Sequence, residues 1–86
     1  MLHTKGYKAP INMEKMPQED IDEQILRSVM IAELATVQEY EQMCYNTSNQ
    51  EIKDMLEELI EDEEEHFNKA QELLKSVEEE NEDEDD

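Results

Sequence analysis

Three side chains in this sequence could hold a metal ion together: Glu33, Glu63 and His66. Carboxylate oxygen and neutral imidazole nitrogen suit first-row divalent cations such as iron, manganese and zinc. The Glu63-x-x-His66 spacing puts both groups on one side of a helix. At about 100° per residue, Leu26, Val29, Met30, Val37, Tyr40 and Cys44 fall on one side of a first helix, with Glu33 in the middle of that stripe. In a second helix the stripe is Ile52, Leu56, Leu59, Ile60, Phe67, Ala70, Leu74 and Val77, with Glu63 in its middle. An ionised carboxylate buried without a partner costs several kcal/mol or takes up a proton. No basic residue stands on either stripe near these two: Arg27 is about 120° from Glu33 around the helix, and Lys69 is similarly placed relative to Glu63. A bound cation is the partner that would satisfy both.

The elements that must position these groups follow from the punctuation of the chain. Residues 1–17 hold Gly6 and Pro10 and show no periodicity, so they are expected as an extended arm. Pro17 and the acids Glu19, Asp20, Asp22 and Glu23 suit a helix start. From Gln18 to Asn46 there is no Gly or Pro, and Asn46-Thr47-Ser48-Asn49 is a polar break. Ser48 followed by Glu51 has the capping-box pattern. Helices are therefore expected at about 18–46 and 49–77, each about 42 Å long. With so short a break they fold as an antiparallel hairpin. Glu33 lies fifteen residues before Ser48 and Glu63 fifteen after it, so the two carboxylates come to nearly the same height. The last nine residues, 78–86, carry eight acids and no base and are expected as a disordered tail.

Composition narrows the function classes. Seven Lys and Arg stand against 26 Asp and Glu, a net charge of −19 over 86 residues. Such a surface repels phosphate backbones and anionic lipid, so neither nucleic acid nor membrane is an expected partner. One Gly excludes Gly-rich phosphate loops, and one Cys excludes an internal disulfide or a four-cysteine metal site. No apolar run approaches a membrane span or the core of a signal peptide, and a cytoplasmic protein is expected.

A lone hairpin leaves an apolar face uncovered, and 86 residues bury little surface. Two hairpins paired about a two-fold axis make a four-helix bundle. Glu plus Glu-x-x-His is half of the ligand set of ferritin-like di-iron proteins, so this pairing would complete the set. Four carboxylates would then balance two divalent ions. The other side chains have plainer readings as well. Glu33 could be a boundary residue reaching out to solvent, and His66 a bonded core or interface histidine. Tyr40 fits a core aromatic as well as a partner to the metal site. Cys44 reads as a small buried hydrophobe. His3 and Tyr7 lie in the arm without companions.

Ile31-Ala32-Glu33-Leu34, then Tyr40-Glu41-Gln42-Met43, then Glu63-x-x-His66 after a short break resemble the encapsulated ferritins. These are half-length members of the ferritin-like superfamily, more distantly related to rubrerythrins. The resemblance covers roughly Ile25 to Leu74. It implies an all-α hairpin that dimerises into a ferritin-like four-helix bundle, with a di-iron ferroxidase centre at the interface, two irons per dimer. It implies Glu33, Glu63 and His66 as ligands and Tyr40 as the nearby tyrosine. It further implies assembly into a ring, often a decamer, housed in an encapsulin shell that stores the oxidised iron. The chain departs from the pattern at Ala32 and Ala35, where some members carry acids that admit metal, and at Glu39, where some carry Trp. Its acidic last residues are unlike the apolar, Gly-containing peptide that targets such proteins to a shell.

The expected function is oxidation of Fe(II) to Fe(III) for iron storage or detoxification. Zinc or manganese could occupy the same ligands. Two other readings stand beside it: a rubrerythrin-like peroxide reductase, and a helical interaction module without metal.

Overall fold

The computed structural model describes residues 16–84, with side chains as far as Glu82. The expected arm therefore lies, from residue 1 to residue 15, outside the described residues, as do residues 85 and 86. Two helices make up the fold: α1, Gln18–Asn46, and α2, Gln50–Glu84. They pack along each other as a helical hairpin, and each supplies one side of the interface.

α1 starts where Pro17 sets the chain. Pro17 has an extended backbone, φ −58° and ψ 149°, and its carbonyl accepts from the amides of Asp20 and Ile21. Glu19 and Asp20 occupy the first turn, where the helix dipole favours negative charge. α1 runs 29 residues without a helix breaker, as its composition predicts.

The connection is three residues, Thr47 to Asn49. Thr47 Oγ1 accepts the amide of Asn49 at 3.1 Å. The cap of α2 is Asn49, not Ser48. Its Oδ1 accepts from the amides of Glu51 at 2.9 Å and Ile52 at 3.2 Å. Asn and Ser are equally good at this position, so the Ser48–Glu51 pattern could not decide between them.

α2 is 35 residues long and passes the expected end at 77. Residues 78–84, expected as part of a disordered tail, are helical. Tertiary contacts offset their mutual repulsion. α1 begins beside them, and Asn81 Nδ2 donates to Glu23 Oε1 at 3.0 Å in a half-buried setting. Arg27 Nη2 reaches Glu78 Oε2 at 3.5 Å. Glu is also a good helix former, and the segment lacks Gly and Pro.

The core is thin. Of the described residues only Leu56 and Ala70 are buried, each 4% exposed. They stand seven residues before and seven after Glu63, two turns either way on the same face. Leu26, Met30, Val37, Tyr40 and Cys44 of α1 are half-buried, as are Leu59, Ile60, Phe67, Leu74 and Val77 of α2. Val29 and Ile52, expected on the buried stripes, are about two-fifths exposed.

Apolar residues remain uncovered on both flanks of the interface. On one flank Ile25, Leu26, Leu73 and Val77 line a shallow depression. His66 belongs to this flank, since Leu73 lies seven residues on and Met55 eleven before it, all on one helix face. On the other flank a groove of about 610 Å³ is lined by Met30, Ile31, Leu34, Phe67 and Leu74, with Arg27 at its edge. Ile31 is 71% exposed there. On both flanks the exposed apolar residues lie side by side rather than singly.

Candidate metal centre

Glu33 and the pair Glu63–His66 are brought together from opposite sides of the hairpin. One donor atom from each lies within 4.8 Å of the other two. The three-residue connection sets this meeting. It fixes the register of α1 against α2, and fifteen residues of helix on either side carry the two carboxylates to one level. Inside α2, the i to i+3 spacing stacks His66 on the same side as Glu63.

His66 Nδ1 stands 3.6 Å from Glu33 Oε2 and 3.8 Å from Glu63 Oε2. Both separations exceed hydrogen-bond length, which for N–H to oxygen is about 2.7–3.2 Å. The side chains of Glu33 and Glu63 are each 20% exposed, while that of His66 is 60% exposed. The group is therefore closed on the hairpin side and open along the His66 flank. Glu33 Oε2 is buried and has no hydrogen-bond partner. A buried carboxylate oxygen without donors is uncommon in a folded chain, because each such atom forfeits its hydration. No protein-family model matches the chain, and neither does any curated protein or solved structure.

The donor set fits a divalent cation. Donors sharing one first-row ion at about 2.1 Å each stand roughly 3.0–3.5 Å apart. The two distances from His66 Nδ1, 3.6 and 3.8 Å, are slightly longer, and all three donors lie within 4.8 Å, so the side chains would close inward on an ion. A cation would also supply the positive charge that no side chain provides at this level.

Tyr40 lies seven residues beyond Glu33 on α1, half-buried, about 10 Å of helical rise towards the turn. Thr36 does not join the group, since its Oγ1 donates to the carbonyl of Ala32 one turn back at 2.9 Å. A second depression, about 370 Å³, reaches Glu33 from the groove side and is lined by Leu34, Val37, Glu64, Phe67 and Asn68. Helical spacing from Glu63 puts Glu64 sideways or outward, and it lines the side of this depression. The sequence reading missed the link from Arg27 and Glu23 to Glu78 and Asn81. Its signal, the single amide Asn81 among eight acids, was masked by the charge run.

None of the described helices is long and apolar enough to cross a membrane.

Proposed function

We propose that the chain is half of a ferroxidase. Two hairpins pair along the His66 flank, and Glu33, Glu63 and His66 of each copy face one another across a two-fold axis. The observation that carries this reading is the buried, unpartnered Oε2 of Glu33 beside Glu63 and His66. The exposed Met55 and Leu73 on the His66 face of α2, and the exposed Ile25 of α1 beside Leu73, are the apolar border such a pairing would bury. The four carboxylates brought together balance two divalent ions. Fe(II) is the substrate. Two Fe(II) give two electrons to dioxygen, which leaves with two protons as hydrogen peroxide, and Fe(III) remains.

The chain's own residues have separate tasks in this reading. Glu33 and Glu63 hold the cations and offset their charge. His66 gives a neutral nitrogen from the flank that the pairing covers. Leu56 and Ala70 close the helix interface two turns from Glu63 in both directions. The resemblance to encapsulated ferritins supports iron as the metal and extends the proposal to a ring inside an encapsulin shell, since a hairpin pair cannot enclose a mineral.

The test is aerobic Fe(II) oxidation by the parent chain and by Glu33→Ala and His66→Ala. Loss of a ligand is expected to lower the rate at least about 100-fold, as removal of even supporting residues around metals costs about 10–100-fold. If both variants oxidise iron as the parent does, the site assignment fails. Native mass measurement with and without Fe(II) separates this reading from an interaction module, which predicts no metal-dependent change in assembly. Turnover with peroxide against turnover with dioxygen separates it from a rubrerythrin-like peroxide reductase.

A further inference from the structure

The pairing proposed above covers the His66 flank, so a cation bound for the paired site needs a way in from elsewhere. The depression of about 370 Å³ on the other flank offers one. Of the three proposed ligands Glu33 alone lines it, with a side chain that is 20% exposed. Leu34, Val37 and Phe67 give it apolar walls, and the exposed Glu64 and Asn68 stand at its outer edge. No base lines it. We propose that this depression is the entrance through which Fe(II) reaches Glu33, and that Glu64, with the amide oxygen of Asn68, takes up the ion on the way. The inference rests on the metal site and the pairing proposed above.

Position singles out Glu64. It follows Glu63 directly and so stands at the level of the site, turned about 100° around α2 towards the groove side. His66 is turned the other way, about 60° from Glu63. The i to i+4 spacing brings Asn68 onto the face of Glu64. Their two oxygens suit a hard divalent ion that still carries most of its water. Imidazole suits iron better than oxygen donors alone, so the ion gains by passing inward to Glu33, Glu63 and His66. The buried, unpartnered Oε2 of Glu33 favours the same direction.

Electrostatics points to the same place. A cleft with charges of one sign and apolar walls focuses their field and concentrates counter-ions inside it. Here the charges are Glu64 at the edge and Glu33 within. The net charge of −19 draws cations to the whole surface without directing them. Of the acidic run 61–65, Glu64 alone lines the depression. Its exposed neighbour Glu65 is about 200° from Glu63 and faces away from the helix interface.

The test is anaerobic stopped-flow uptake of Co(II) by the full-length chain, followed by the visible absorption of the bound ion. The part of the signal lost in Glu33→Ala belongs to the site. Glu64→Gln removes the charge at the entrance and keeps all three ligands. It is expected to take up Co(II) several-fold more slowly than the parent and to reach the same final absorption. Glu65→Gln removes an equal charge outside the depression and is expected to match the parent's rate. In aerobic Fe(II) oxidation, Glu64→Gln should lower kcat/KM several-fold and leave kcat unchanged. Uptake as fast in Glu64→Gln as in the parent would overturn the proposal. So would equal slowing in Glu65→Gln, which would assign the effect to net charge. A parent that takes up Co(II) at Glu33 without oxidising Fe(II) loses the ferroxidase reading and keeps the entrance. A Co(II) signal indifferent to Glu33→Ala removes the site and the entrance together.

Discussion

Two groups of carboxylates lie along the same helix pair, and they are held in different ways. At the open end of the hairpin Glu19, Asp20, Glu23, Glu78 and Glu82 gather around one depression with Asn81. Five acids so close would repel strongly in a dry setting. They are tolerated because solvent screens most of them, because Arg27 reaches two, and because Asn81 donates to Glu23. In the middle of the hairpin there are only two inward acids, Glu33 and Glu63, yet one of their oxygens is buried with nothing to bond. The end has more charge and needs nothing from outside the chain. The middle has less charge and lacks a partner. Burial, not the number of charges, separates a solvated acidic surface from a site that asks for a cation.

The comparison can be broken most severely through its floor. Leu56→Ala removes one of the two buried side chains among the described residues and is expected to destabilise the protein by about 2–5 kcal/mol. Chemical denaturation followed by circular dichroism measures it. Such a loss would take the middle site with it, whereas the solvated end of the hairpin gives no comparable opportunity. A smaller change makes the middle resemble the end. Glu63→Lys places a positive charge beside Glu33, as Arg27 stands beside Glu23 and Glu78. Thermal melts should then lose their dependence on added divalent metal, while the parent gains about 2.7 kcal/mol at metal concentrations 100 times Kd. Equal metal-induced shifts in both chains would show that the ions bind elsewhere.

The smallest effect is expected at the end itself. Arg27→Ala breaks contacts to Glu23 and Glu78, but the Arg27 and Glu78 side chains are 41% and 47% exposed. After allowance for solvent screening the cost is under about 1 kcal/mol. Iron oxidation should be unchanged. A large loss of oxidation in this variant would mean that the end and the middle are coupled, contrary to the separation drawn here.

Much of this arrangement was legible in the sequence, for physical reasons that can be named. Pro17 and the polar break Asn46-Thr47-Ser48-Asn49 bounded a helix at about 18–46, and α1 is Gln18–Asn46. Equal spacing of Glu33 and Glu63 from the turn foretold their meeting, because a short connection leaves an antiparallel pair no freedom of register. What escaped were features that depend on the partner helix. Residues 78–84 read as a self-repelling tail because Asn81 and Glu78 find Glu23 and Arg27 only after the hairpin forms. The open groove escaped too. Ile31 and Leu34 fall outside a single stripe, and a wheel drawn for one interface has no place for a second apolar flank.

The three-residue link also has a kinetic consequence. Closing so small a loop takes about 10–100 ns, and helices relax within about a microsecond. Every long-range contact between α1 and α2 is reached by zipping outward from that one bend. The half-site with Glu33, Glu63 and His66 can thus be assembled while the chain is still alone, long before diffusion delivers another molecule or an ion. In the proposed pairing the slow events are encounters between chains, so the rate at which paired sites appear should scale with how much protein is present rather than with how fast any one chain folds.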